Sequence, residues 1–518
     1  MEKTLSLLNR LRSQGIRVWI HSGDLKFSSP PGALSDQDIA ELRQRKNMIL
    51  HILSSLSLDS KQPKLTPRST VNPVPLTFQQ RWLWHTLRPR FPPGTFEISY
   101  AFRLRGKLNL EHLERSLLAT LQSHEALRTR FIEVGDSVCQ WIDPTSDYAL
   151  VVDTATVTGI ENADIAARDW VADFFRGPVI DPHGPLFRIR MLALSDEDHI
   201  FAMVIDHMIS DGISMDVFFR KVIESYENLR HGRAATDPPD CVQYPDYAAW
   251  QQKSNDYWIS MHHEYWTSRL DDACSIRFSF PKSIEGVSPG TFGTKELRLG
   301  SVLTKALRQR ALQERVTLPL VVFAASATLV SMATHQLDFV MPVIVTGRSI
   351  PGTIDSIGYF AHILHLRIQL TQGDSLRTIL QKVTVEYLAA YEHDDFGRVL
   401  ASHPSLAKDS WFQFDSLFEP GSRLESFIDT FRIEPFARSE ITPLELDRTE
   451  YVNNYTTGFM LVFTEESQDI SVALTYRADL LCLPMVKELS RNFQLICENL
   501  AINPDLLAHA PAKTPLPC

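Results

Sequence analysis

Along the first 57 residues the hydrophobic positions change period twice. Leu5, Leu8 and Leu11 recur at helical spacing and stop before Gly15, which predicts a short helix closed by a glycine. Ile16, Val18 and Ile20 then alternate with Arg17, Trp19 and His21, and Leu25 and Phe27 flank Lys26. With Ser22-Gly23-Asp24 between the two runs, the pattern predicts a β-hairpin. Ser35 followed three residues later by Asp38 has the form of a capping box, and Ile39, Leu42, Ile49, Leu50 and Leu53 supply the apolar stripe of a second helical stretch. The sum is a small α+β unit over 1–57, near the lower limit for independent folding. Pro63, Pro67 and Pro73 among Ser, Lys, Thr and Gln make 58–74 an extended linker.

From residue 75 the pattern is mixed. Helical spacing over Leu110 to Ser123 alternates with strand patterns such as Phe187 to Leu194 and His199 to Ile205, without a fixed-period repeat. A body of this length is too large for one core, so two lobes are expected, 75–245 and 246–510, with the break near Pro238, Pro239 and Pro245. The unbroken apolar run Ile200 to Ile205 reads as a buried strand that ends in a polar loop. The following helix has Ser214 as candidate N-cap and Val217, Phe218, Val222 and Ile223 toward a core.

Composition narrows the class. The 518 residues are 44% hydrophobic and 22% charged, which excludes a disordered, collagenous or coiled-coil chain. The apolar stretch Leu318 to Val330 is interrupted by Ser326 and Thr328 and is too short to span a bilayer. The charged, amphipathic N-terminus lacks the form of a signal peptide, so a soluble cytoplasmic protein without a membrane role is expected. Six cysteines without CxxC spacing point to neither a disulfide framework nor a metal site. A net charge of −10 argues against nucleic-acid binding. The charge is uneven, because residues 1–57 carry eight basic side chains against five acidic ones. A basic module precedes an acidic body.

Candidate chemistry concentrates in His207-Met-Ile-Ser-Asp211-Gly212. A histidine at a strand end, just before a helix, is well placed for proton transfer at a lobe junction. Asp211 is positioned to pin the loop by pairing with an arginine, and Gly212 leaves space beside the imidazole.

These residues resemble the HHxxxDG signature of condensation domains of nonribosomal peptide synthetases, relatives of chloramphenicol acetyltransferase. Further stretches follow in the family's order. Thr77-Phe-Gln79-Gln80-Arg81-Trp82-Leu83-Trp84 is similar to SxAQxRLW, and His124-Glu125-Ala-Leu127-Arg128-Thr129-Arg-Phe131 to RHExLRTxF. Gly184-Pro185-Leu186-Phe187-Arg188 resembles the lead-in to the active-histidine strand, and Tyr244-Pro-Asp246-Tyr247-Ala248-Ala-Trp250 resembles YxDFAVW. Ile357-Gly358-Tyr-Phe360 opens IGxFVNT, and Trp411-Phe412-Gln413 resembles the end of NPLFQ. Residues 1–57 resemble the β-hairpin docking domains of hybrid polyketide–peptide synthases. The resemblance implies an α/β fold of two chloramphenicol acetyltransferase-like lobes in a V shape, preceded by the docking domain.

It also implies an acyltransferase that moves an acyl chain from the phosphopantetheine thioester of a partner carrier protein, with no cofactor of its own. His207 and the Gly212 amide would be catalytic, and Asp211 structural, with Arg348 of Thr346-Gly347-Arg348 as its candidate partner. Arg17, Trp19, Lys26, Arg43 and Arg45 would receive the acidic C-terminal tail of the upstream carrier. Asp206 stands where the signature has its first histidine. Asp206, Asp211 and Ser214 also fit the DxxxxDxxS pattern of heterocyclisation domains, which generally lack the histidine and glycine retained here. His362 replaces the asparagine of IGxFVNT, so an unusual acceptor is as consistent with it as a plain strand residue. Neither an adenylation phosphate loop nor a carrier GGxS occurs in the chain. That arrangement resembles stand-alone chain-releasing condensation enzymes of the enacyloxin type, and favours a free hydroxyl or amine acceptor with ester formation and release. Alternatives are an amide-forming domain with a carrier-bound acceptor, a heterocyclisation domain, and a non-catalytic carrier-docking module.

Overall fold

The computed structural model describes scattered positions and two strands within residues 1–57. It then describes 64–69, 72–90, 93–145, 148–155, 160–235, 242–270, 272–277, 292–394, 414–417, 431–436, 459–465 and 469–508. In the leading unit, β1 (Arg17–His21) pairs antiparallel with β2 (Asp24–Ser28), placing Trp19 opposite Lys26 and Arg17 opposite Ser28. Leu11, Leu42 and Ile49 are buried helical positions of this unit. Arg43 and Arg45 lie outside the described residues, as do Leu5, Leu8, Ser35 and Ile39.

Among the described residues the body has two large hydrophobic cores, beside smaller clusters. β3 (Val74–Pro75), β5 (Thr129–Val134) and β6 (Ser137–Ile142) form a small sheet. The main sheet of the first lobe comprises β4 (Glu97–Gly106), β7 (Val151–Thr154), β8 (Phe187–Ser195), β9 (Asp198–Asp206) and β14 (Phe431–Pro435), in the order β14-β4-β9-β8-β7. Ile200 through Ile205 of β9 are all buried, because this strand lies between β4 and β8 and is covered on both faces. The described helices of this half are α1 (Phe78–Trp82), α2 (Leu110–Ser123), α3 (Ile160–Phe175), α4 (Gly212–Arg230), α5 (Tyr244–Lys253) and α6 (Asn255–Leu270). Ala167 and Val171 of α3 pack on Leu192 and Ile200. On the opposite face, Phe219 of α4 packs edge-on against Phe102 and Phe201, with ring centroids 5.0 and 6.2 Å away.

The edge strand β14 comes from far along the chain and pairs antiparallel with β4, Ile433 opposite Leu104. The first-lobe sheet therefore includes a strand contributed from beyond residue 246. The second core gathers α7 (Ser301–Glu314), α8 (Leu318–Thr334), α9 (Leu376–Glu392) and α10 (Leu483–Ile502). They pack with the pair β11 (Asp338–Val345) and β12 (His362–Gln369). The remaining sheet has β10 (Phe292–Arg298), β13 (Phe414–Leu417), β15 (Phe459–Glu465) and β16 (Ile470–Arg477), in the order β10-β16-β15-β13. α8 is buried from Leu320 to Ser331, as a helix apolar all round must be. No single helix among the described residues is long and apolar enough to cross a membrane.

Among the described segments, α6 and the lead-in to β12 join the cores. α6 packs Trp258 against the first and places Trp266 and Leu270 in the second. The lead-in to β12 buries Ile357, Tyr359 and Phe360 in the first core, whereas Leu364 and Leu366 of the strand belong to the second.

Candidate active site at the lobe junction

β9 ends at Asp206, and His207–Ile209 form one 3-10 turn before the chain enters α4. The turn is held from several sides. The Asp206 carboxylate accepts the Met208 amide at 2.8 Å, capping the turn, and forms an ion pair with Arg88. Gln80, from α1, donates its side-chain amide to the Met208 carbonyl at 2.9 Å. The His207 amide donates to the Phe96 carbonyl at 2.9 Å. The imidazole is half-buried, and its Nδ1 is buried without a protein hydrogen-bond partner among the described residues. The ring lies against Tyr359, centroid to centroid 4.4 Å and tilted by 56°.

Asp211, not Ser214, is the N-cap of α4, since its carboxylate accepts the Ser214 amide at 2.7 Å and the helix begins at Gly212. The helix thus starts earlier than a serine cap would allow. Asp211 also accepts Arg348 Nη2 at 2.8 Å and the Phe360 and Ala361 amides at 2.9 and 3.0 Å. Burial alone would raise its pKa. The Arg348 guanidinium and the Ser214 hydrogen bonds outweigh that and hold the carboxyl below its ordinary value. Arg348 is used to the full on its terminal nitrogens, donating also to the Thr353 and Ser356 carbonyls at 2.7 and 2.8 Å and to Ser214 Oγ at 2.8 Å. Its guanidinium lies 4.2 Å from the Phe360 ring centroid. Ser214 Oγ donates to the Gly358 carbonyl at 2.6 Å and accepts the Gly358 amide at 3.0 Å. Asp211 and Ser214 from one lobe and Arg348, Gly358 and Phe360 from the next stretch of chain therefore make one buried lattice beneath the histidine turn.

Glycine is required at two places here. Gly347 has φ +63°, and an added Cβ would stand 1.9 Å from the Phe360 carbonyl oxygen. At Gly358 an added Cβ would stand 2.1 Å from the Tyr244 ring. Tyr244 threads the junction, its hydroxyl 2.8 Å from Thr77 Oγ1 and donating to the Tyr359 carbonyl at 2.6 Å. Gly212 is half-buried at the first helical position of α4.

His362 is the first residue of β12, paired across the ladder with Val345. Its ring is buried, with Nδ1 3.0 Å from the Phe360 carbonyl and Nε2 bonded to Asp394. A carbonyl only accepts, so Nδ1 is the donor in the contact with Phe360. Among the predicted residues, the structure brings Asp211, Ser214 and Arg348 together beside the His207 turn, and binds Asp206 to Arg88. It brings Trp19 and Lys26 into register on the hairpin. Sequence reasoning missed Arg88 and Asp394, which nothing in their local pattern distinguishes, and assigned no role to Tyr359 inside Ile357-Gly358-Tyr-Phe360. No group of side chains among the described residues has the makings of a metal site.

A family model described as Condensation domain matches residues 71–511, and one described as TubC N-terminal docking domain matches residues 5–54. Malpinin synthetase of Mortierella alpina is 27% identical over 397 residues, 75% of this chain, and the chain spans 5% of that synthetase. The cyclization-docking bidomain of EpoB from Sorangium cellulosum has the same fold, with TM-score 0.68 and 18% identity over 97% of this chain and 99% of that one. So does SgcC5 from Streptomyces globisporus, solved with (R)-(-)-1-(2-naphthyl)-1,2-ethanediol and sucrose. It gives TM-score 0.65 and 19% identity over 84% of this chain and all of that one, 100%. The two-lobed α/β architecture is thus that of chloramphenicol acetyltransferase-like condensation domains, and the chain belongs to the condensation-domain family, with a TubC-type docking domain at its N-terminus.

Proposed function

We propose that this protein transfers an acyl chain from the phosphopantetheine thioester of a carrier protein to a free hydroxyl or amine, with ester formation and chain release favoured. The observation that carries the reading is the His207 turn, fixed between two lobes by Asp211 and Arg348 and opening directly into α4. His207 takes the proton of the attacking hydroxyl as its oxygen bonds to the thioester carbon, or orients that attack. The tetrahedral intermediate then collapses, the carbon–sulfur bond breaks, and the proton passes to the departing thiolate. The Gly212 amide, at the positive end of α4, stabilises the developing oxyanion. The phosphopantetheine arrives with the partner carrier, and the protein supplies no cofactor of its own.

An alcohol acceptor is supported by the diol held in the SgcC5 crystal. Against heterocyclisation stands the engagement of its three signature positions. Asp206 is paired with Arg88, while Asp211 and Ser214 are buried in the Arg348 lattice. Recruitment of the upstream carrier falls to the docking domain, where the carrier's acidic C-terminal motif adds to the hairpin beside Arg17, Trp19 and Lys26, with Arg43 and Arg45 contributing charge.

The test is intact-protein mass spectrometry of an acyl-loaded carrier incubated with the protein and a panel of free hydroxy acids and amines. Acyl loss matched by an ester product is the expected result. Amide products alone, or transfer only to a second, carrier-bound acceptor, would overturn the ester reading.

A further inference from the structure

We propose that Tyr359 is a positioning residue for His207, so that a side chain from the second lobe's lead-in sets the imidazole of the first. The inference rests on the functional reading above and adds a residue to it. A histidine that works in proton transfer needs a fixed ring plane, and that is ordinarily set by a hydrogen bond at the nitrogen turned away from the reaction. At His207 no described side chain or backbone group supplies this bond, Nδ1 being buried without a protein partner among the described residues. Tyr359 is the aromatic ring packed on it, at 4.4 Å and 56°.

Tyr359 is itself held more firmly than a surface ring would be. The residue is 8% exposed. Its carbonyl accepts the Tyr244 hydroxyl at 2.6 Å. The residue before it is gripped through both backbone groups by Ser214, and the residue after it through its amide by Asp211. Beyond that, His362 Nδ1 donates to the Phe360 carbonyl and is backed at Nε2 by Asp394. Burial, with Asp211 nearby, pushes the Tyr359 phenol up, so the ring stays neutral and meets the imidazole as an aromatic surface. Hence the lattice that caps α4 also fixes the wall on which His207 rests. Displacing a reacting group by about 1 Å costs up to roughly 100-fold in rate, so loss of this wall should be read in turnover.

The experiment uses the full chain with 13Cε1-labelled histidine, the His207 resonance being assigned by its loss in His207→Ala. Tyr359→Phe keeps the ring and should leave both that resonance and kcat within about twofold of the parent. Tyr359→Leu removes the ring and should shift the resonance. It should also lower kcat roughly 10- to 100-fold, with KM for the loaded carrier changed far less. Tyr359→Met, unbranched and similar in bulk, is read in the same way if the leucine variant does not fold. A parental resonance and kcat in the ring-less variant would overturn the proposal. So would a Tyr359→Phe variant as slow as Tyr359→Leu, which would assign the effect to the hydroxyl. The resonance is read without turnover, so failure of the functional reading leaves the positioning claim separately decided.

Discussion

A carboxylate that is 2% exposed remains charged only where its surroundings replace water, and Asp211 has four donors doing so: Arg348 and the amides of Ser214, Phe360 and Ala361. Asn at this position must turn its NH2 toward either Arg348 or the two amides, and leaves the guanidinium uncompensated. Asp211→Asn should therefore cost about 3–5 kcal/mol, read as a lower urea midpoint, while protein that folds retains measurable turnover. Normal stability with complete loss of turnover would instead make Asp211 a participant in the chemistry. The folded pKa lies below the unfolded value, so the stability Asp211 contributes is complete above about pH 4 and is lost as pH falls through the lower folded value. A denaturation series from pH 6 to 3 should show this acid limb in the parent and a shallower one in Asp211→Asn. The spacing of His207, Asp211 and Gly212 is legible in the sequence because it is local. The Arg88–Asp206 pair and the Tyr359–His207 contact are not, because they depend on which distant loops the sheets bring together.

Among elements, β9 is the easiest to read from sequence, since a strand covered on both faces must be apolar throughout. The start of α4 is harder. Asp211 and Ser214 are both good N-caps, and the choice falls to Asp211 because Ser214 Oγ is engaged with Gly358 across the junction. β14 is harder still, for nothing in Phe431–Pro435 says that it will pair with β4. The lead-in to β12 sets a strict test of packing. Gly347 and Gly135 share a left-handed backbone, φ +63° and +61°, but only Gly347 is crowded. Gly135→Ala should cost about 1–2 kcal/mol from backbone strain alone. Gly347→Ala must also displace the Phe360 carbonyl, and should abolish folded, soluble protein or lower Tm far more. Equal melting temperatures for the two variants would contradict the close approach.

At the scale of the whole molecule, two cores meet at a seam crossed by α6, by the lead-in to β12 and by the Asp211–Arg348 pair. The seam places the histidine turn against Tyr359, which the lead-in to β12 carries into the first core from far along the chain. The docking hairpin stands before this body and is expected to act through effective concentration, not chemistry. Removing residues 1–57 should raise the carrier concentration for half-maximal transfer roughly tenfold or more while kcat is kept. An unchanged carrier dependence would separate the hairpin from donor recruitment. Acyl transfer by the His207 turn is tested by single-turnover acyl loss from a loaded carrier, parent against His207→Ala, followed by intact mass. The rate should fall by about 100-fold or more in the variant, at unchanged folding and carrier binding. Transfer by His207→Ala at the parental rate would contradict it.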